Sequence, residues 1–221
     1  MTIDGEIYYS ADLHLGHERI IELCDRPFGS IREMNRTIIE RINDVVKRKD
    51  TLILLGDVVL GKFDETVQLL AQIQARRIRI IPGNHDRSSL AYHHRGSVET
   101  VRVKRELWRL RYEEARPGIR AMADKTPSQW ETMIGARPVL LSHYPYVGDS
   151  RSDGERFGWL RPVDKGLPLI HGHVHGRWRV KDIDGEPRML NVGVDVNDFA
   201  PVSEAQVADW LMDISMGAVG V

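Results

Sequence analysis

Short apolar runs alternate with amphipathic stretches along this chain. "EIYYSAD", "TLILLGD", "IRIIPGNHD", "RPVLLSH" and "LPLIHGH" are apolar runs stopped by Gly, Asp, Asn or His. Runs of this length, rich in Ile, Val, Leu and Tyr, read as buried strands. Each strand therefore empties into polar chemistry. Between the first two runs, Ile31, Met34, Ile38, Ile42 and Val45 recur at helical spacing, and Ser30 with Glu33 forms an S-x-x-E capping box. This predicts a helix of about four turns. "DETVQLLAQIQA" predicts a second helix, with Asp64 as its N-cap and Val67, Leu70 and Ile73 on one face. Alternating strands and helices predict an α/β layered core, in which polar sites collect at the carboxyl ends of the strands.

The alternation lapses between about Ser88 and Arg137. There the sequence predicts a helix to near Ala115, a break at Pro117-Gly118, and a short second helix after it. "ETMI", "GAR" and "PVLLSH" then read as a hairpin returning to the core. The segment 104–127, which breaks the pattern and carries surplus positive charge, is expected to be an inserted lid or rim on a single domain spanning 1–221.

Composition narrows the picture. The 221 residues are 42% hydrophobic and 29% charged, enough for a full core and for one ordinary globular domain. Thirty-one Lys and Arg against thirty-two Asp and Glu leave a net charge of -1, so any basic site must be local. Cys24 is the only cysteine, which excludes an internal disulfide and suits a reducing compartment. The acidic start "MTIDGE" is no secretory signal, and no stretch approaches the eighteen or so apolar residues of a membrane span. A cytoplasmic protein without membrane contact is expected.

The strand ends carry the chemistry. Asp12 and His14 lie two apart, so both side chains project to one side and could share a metal ion. One D-x-H is weak evidence, because such a pair more often just hydrogen-bonds a loop. Asp57, Asn84-His85-Asp86, His143, and His173 with His175 repeat the arrangement at four further strand ends. Five such coincidences in one α/β chain point to one shared site rather than to separate turns.

"DLH", "GD", "GNHD", "SH" and "GHVH" occur in the order and approximate spacing of the calcineurin-like metallophosphoesterases, which the chain resembles from Asp12 to His175. "GHERIIELCDRPFGSIREMN" and "LNVGVDVNDFAPVS" further resemble the small phage and bacterial members. The resemblance implies a four-layer α/β/β/α sandwich, with helices flanking two mixed sheets. It also implies two divalent ions, one held by Asp12, His14, Asp57 and His175 and the other by Asp57, Asn84, His143 and His173, with Asp57 as bridge. Manganese is favoured, with Fe, Zn, Ni, Co or Mg as alternatives, and the lack of thiolate argues against a soft structural site. Two such ions can generate hydroxide from a shared water and clamp phosphoryl oxygens during in-line displacement. On this reading His85 stabilises the transition state or protonates the leaving alkoxide, and Asp86 orients its imidazole. One departure is Leu60, where relatives often have the last Asp of G-D-x-x-D.

The implied activity is phosphoester hydrolysis, with a phosphodiesterase for cyclic or other small nucleotides favoured. A phosphomonoesterase or protein phosphatase and a metal-dependent nuclease are the alternatives, with nucleic acid the less favoured substrate. A non-catalytic module on this fold would be marked by lost ligands, and none is lost here. Outside the ligands, His17 lies beyond Gly16, where the chain must turn toward a helix carrying Ile20, Ile21 and Cys24. It is expected at a helix N-terminus, binding a substrate phosphate oxygen rather than a cation. Arg151 and Arg156, in a Gly-containing loop after His143, are the favoured phosphate contacts; Arg105, Trp108, Arg109 and Arg111 are the other candidates. His171 is expected to support the site from behind, and His93 and His94 to be solvated.

Overall fold

The computed structural model describes residues 5–93, 97–121, 129–151, 154 and 156–215. Two five-stranded mixed sheets pack face to face. In the first, β1 (Ile7–Ser10), β2 (Thr51–Leu54), β3 (Arg77–Ile80) and β4 (Ile119–Ala121) run parallel, and β10 (Val202–Ser203) pairs antiparallel with β1. In the second, β6 (Arg137–Ser142), β7 (Leu169–His171) and β9 (Glu186–Asn191) run parallel. They are flanked by antiparallel β5 (Gln129–Ile134) and β8 (Val180–Ile183).

The unbroken apolar runs follow from burial on both faces of the first sheet. Tyr8, Leu52, Leu54, Ile78 and Ile80 pack against the helices. Their neighbours Tyr9, Ile53, Leu55 and Ile81 point the other way, toward Val139, Leu141, Ile170 and Leu190 of the second sheet. Helix α6 (Glu204–Ser215) adds Val207, Trp210 and Leu211 to this inter-sheet core. The outer face of the second sheet carries Leu140, Leu169 and Met189, against which Tyr146 and Leu167 pack.

The one-turn α1 (Ile20–Leu23) precedes the expected long helix, α2 (Ile31–Val45). Ser30 Oγ accepts from Glu33 N, while the Glu33 carboxylate reaches back to the N–H of Gly29 instead of Ser30. Met34, Ile38 and Ile42 are buried, but Val45 turns outward and Val46 takes its place in the core. The second predicted helix is only partly α. Helix α3 (Phe63–Thr66) is continued by a 3-10 helix over Val67–Gln72. Its N-cap is Lys62, without a side-chain bond, and Asp64 instead sits in the first turn. The Thr66 hydroxyl donates to the Lys62 and Phe63 carbonyls, a competing bond of the kind that disturbs regular α-helix. The three-residue turn still aims both Val67 and Leu70 inward.

After α4 (Leu90–His93), α5 (Val98–Ala115) forms the crossover from β3 to β4. The lid expected over 104–127 is thus, in its described part, built into the fold: Tyr112 and Ile119 are fully buried and Trp108 packs on the main core. Among the described residues, no short helix follows Pro117-Gly118. Gly118 (φ +95) abuts the Arg76 carbonyl, accepts from Ile78 N, and steers Ile119–Ala121 into the sheet as β4. Residues 122–127 lie outside the described residues. The expected hairpin is present as β5 and β6, turning at Gly135-Ala136. Among the described residues, no helix is long and apolar enough to cross a membrane.

Candidate metal centre

The loops leaving β1, β2, β3, β6 and β7 bring their polar residues together. Candidate ligand atoms of Asp12, His14 and His175 lie within 4.8 Å of one another, as do those of Asp12, Asp57 and His143. Asp12 (φ 56), His14 (φ 50), Asp57 (φ 54), His173 (φ 74) and His175 (φ 51) all adopt the left-handed backbone region. Non-glycine residues pay roughly 1–3 kcal/mol for sparsely populated conformations, which therefore persist only where surroundings enforce them. The motif glycines supply that room. A Cβ on Gly83 would strike Asp57 Oδ1, and one on Gly172 or Gly193 would press on Asp12 Oδ2.

The donor set fits divalent cations. Asp57 Oδ2 lies 3.6 Å from both His14 Nε2 and His143 Nε2. His143 Nδ1 donates to the Leu55 carbonyl (2.8 Å), which leaves Nε2 as a bare lone pair. That atom faces His173 Nδ1 at 3.3 Å and Asn84 Oδ1 at 3.1 Å. Since His173 Nε2 donates to Asp149 (3.3 Å), its Nδ1 is also a lone pair. Acceptors turned on one another in a buried site call for a cation between them. Asp12 Oδ1 and His14 Nε2 are likewise buried without a hydrogen-bond partner. Burial pushes the Asp12 and Asp57 carboxyls above their ordinary range, and neighbouring imidazoles only partly offset it. Burial also pushes His14 and His143 down and takes His173 to about 3, so these imidazoles are neutral and ready to coordinate.

Two carboxylates that sequence reasoning missed stand behind the last two histidines. Asp195 accepts from His175 Nδ1 at 3.0 Å and from Arg26 Nε and Nη2 at 2.8 and 2.9 Å. Burial would raise Asp195, but His175 and Arg26 outweigh it and hold the carboxyl low. For His175, burial is outweighed by Asp195, Cys24 and Asp12, which hold it well above the ordinary histidine range and make a positive charge favourable there. Asp149 accepts from His173, from Arg156 Nη2 (2.7 Å) and from Arg161 Nη2 (3.2 Å). Burial again works against ionisation, and hydrogen bonds from His173 and Arg156 prevail, holding Asp149 well below the usual carboxylate range. Neither residue belongs to a spacing motif. The sequence offers each only as one of several carboxylates in a Gly-containing stretch, Asp149 beside Asp153 and Glu155 and Asp195 beside Asp198.

His85 is at the mouth, its side chain 46% exposed, with its backbone N–H donating to Asp57 Oδ1 (2.8 Å) and its Nε2 4.0 Å from Asp57 Oδ2. Asp86 does not orient it, contrary to expectation. The Asp86 carboxylate is fully buried and accepts from the backbone N–H groups of Asp57, Val58 and Gly83 and from the Tyr112 hydroxyl. Its side chain points beneath the loop, so it clamps the Asp57 turn to the Asn84 turn. Burial and the Asp57 charge raise it to about 6.

His17 is half-buried with Nδ1 3.2 Å from His14 Nδ1, and its carbonyl accepts from Ile20 N at the start of the one-turn α1. Burial, His85 and Arg26 lower it to about 4. His171 is buried and donates from Nδ1 to the Gly172 carbonyl. His93 is not simply solvated, since its Nε2 donates to the Arg87 carbonyl (2.7 Å); His94 lies outside the described residues. Arg156 is committed to Asp149 and Ser150, with its guanidinium 5.5 Å from the Phe157 ring centre. Arg151 has an exposed side chain, its backbone N–H reaching Asp149. The other basic candidates are engaged in the fold. Arg105 binds the Ser88 carbonyl, Arg109 pairs with Glu106 and Glu113, and Arg111 pairs with Asp64. Trp108 stacks with Arg87 and Arg111, each 4.7 Å from its ring centre.

Comparisons agree with this geometry. The chain is 32% identical over 217 residues to the gene 66 protein of Mycobacterium phage D29, covering 96% of this chain and 99% of that protein. It is 40% identical over 201 residues to an uncharacterised protein of Methanocaldococcus jannaschii, covering 90% and 86% respectively. The fold matches a solved protein of unknown function from Aquifex aeolicus with a TM-score of 0.63 at 24% identity, over 94% of this chain and 100% of that one. The family model described as calcineurin-like phosphoesterase matches residues 6–199, a span that includes all of the converging carboxylates and imidazoles, and the chain belongs to that family.

Proposed function

We propose that this chain is a dinuclear-metal phosphodiesterase acting on cyclic or other small nucleotides. The observation that carries the dinuclear reading is the position of Asp57 Oδ2, equally 3.6 Å from His14 Nε2 and His143 Nε2, between two groups of donors. Asp12, His14 and His175 would hold one ion, Asn84, His143 and His173 the other, and Asp57 both. Bound there, two divalent cations, manganese by preference, would supply an activated water and electrostatic stabilisation of the phosphoryl group.

The remaining work falls to the chain itself. His85, half-exposed at the mouth and anchored through its backbone on Asp57, is positioned to give a proton to the departing alkoxide. Asp86 keeps the Asp57 and Asn84 turns at a fixed separation. His17 shares a proton with His14 through their facing Nδ1 atoms, which leaves its other nitrogen free to meet a phosphate oxygen. Arg156 and the Phe157 ring, packed near His173, support recognition of a phosphate joined to a planar base. A net charge of -1 supplies no general attraction for a polyanion, which favours a small ester over a nucleic acid.

The test is turnover with manganese of bis-p-nitrophenyl phosphate, the corresponding monoester, a panel of cyclic nucleotides and dinucleotides, and single-stranded nucleic acid. The diester and at least one small nucleotide should be the better substrates. Faster cleavage of the monoester, or salt-sensitive binding and cleavage of nucleic acid, would replace this substrate assignment.

A further inference from the structure

Resting on the two-ion reading above, we propose that Asp195 and Arg26 are a positioning pair that sets the ion-binding geometry of Asp12, His14 and His175. Asp195 lies on the short 3-10 turn Val194–Val196 beyond β9, and its side chain is 5% exposed. Arg26, just after α1, is completely buried at its side chain and meets both Asp195 oxygens. The same guanidinium donates to the Asp12 carbonyl (Nη2, 2.8 Å) and to the Leu13 carbonyl (Nη1, 3.1 Å).

One cation thus ties together the two parts of the chain that must meet. It pins the strained turn in which Asp12 and His14 are both left-handed, and through Asp195 it fixes the ring of His175. With Nδ1–H of His175 directed at Asp195, Nε2 is the nitrogen left for the shared cluster with Asp12 and His14. A planar guanidinium suits the task, because its fork of donors can bind a carboxylate with two hydrogen bonds while other N–H groups reach carbonyls. Cys24, His175 and Asp195 also lie close enough to hold an ion. Arg26 already occupies both Asp195 oxygens, so a cation is disfavoured there and the carboxylate serves His175 instead.

The pair touches no reacting atom, and its signature is therefore a loss of metal rather than of chemistry. Manganese stoichiometry and affinity should be measured by calorimetry and elemental analysis on wild type, Asp195→Asn, Asp149→Asn, and the double variant Arg26→Met with Asp195→Leu. The double variant removes both buried charges together, in case Asp195→Asn leaves Arg26 too poorly paired to fold. Circular dichroism and thermal unfolding of the metal-free forms report folding separately. Asp195→Asn should weaken one of the two ions by about 10-fold and the double variant by up to about 100-fold, while the second ion stays near wild-type affinity. Asp149→Asn should weaken the other ion. Two ions bound with wild-type affinity in the folded double variant would overturn the positioning role. A wild-type chain that binds no manganese would instead overturn the two-ion reading beneath it.

Discussion

Asp195 behind His175 and Asp149 behind His173 meet the same requirement, a carboxylate that fixes the far nitrogen of an imidazole, but in unlike surroundings. Asp195 is locked by Arg26, whose side chain is 0% exposed and also grips the turn after β1. Asp149 lies on the loop after β6 and is held by the buried Arg161 and by Arg156, whose side chain is 35% exposed. Both carboxylates are buried, but Asp195 is held by a buried arginine alone, whereas one of the two arginines on Asp149 opens toward solvent. On the reading proposed above, the two sides of the centre would have different tasks: one would fix ligand geometry, and the other would offer Arg156 and Phe157 to a substrate.

The comparison can be broken in several places. The largest effect should come from the residue both sides share. Asp57→Asn or chelation should lower turnover by roughly a thousandfold or more, because a water activated at neutral pH depends on the ions; added manganese should restore the chelated wild type. Next, Arg26→Met should destabilise the protein by about 3–5 kcal/mol, since it leaves Asp195 buried and unpaired. Arg156→Met, which leaves Asp149 still paired with the buried Arg161, should cost less, about 1 kcal/mol, and instead raise KM. Denaturant unfolding and steady-state kinetics separate the two variants, and equal destabilisation would erase the contrast drawn between core and loop. His85→Gln should cut kcat about a hundredfold while both ions stay bound. The loss should shrink for an aryl ester whose leaving group needs no proton; equal losses would turn the role into charge stabilisation. The smallest effect should be that of Tyr112→Phe, which removes one of four bonds to Asp86 and should cost about 1 kcal/mol of stability with little change in turnover.

Much of this was legible in the sequence, for physical reasons that also mark where legibility ends. Strands buried on both faces leave an unbroken apolar run, so the strands ending near Asp12, Asp57 and Asn84 could be read directly, as could the Ser30 cap of α2. The strand β4 could not. It has three residues, and its direction is set by Gly118 meeting the Arg76 carbonyl, a contact between segments far apart in sequence. The same applies to the segment 104–127, whose broken pattern and surplus positive charge suggested a lid or rim, although its Tyr112 reaches under the Asp86 loop. Candidate ligands announce themselves by residue type at strand ends. Residues that hold them from behind do not: Asp86 was expected to serve the neighbouring His85, yet its carboxylate is consumed by backbone donors, and Asp149 and Asp195 find their histidines through folding alone.

Diffraction from crystals grown with manganese, recorded with its anomalous signal, tests the central claim most directly. Two peaks should flank the Asp57 carboxylate, one beside Asp12, His14 and His175 and the other beside Asn84, His143 and His173, roughly 3.5–4 Å apart. A single ion, or two ions that do not share Asp57, would contradict the account.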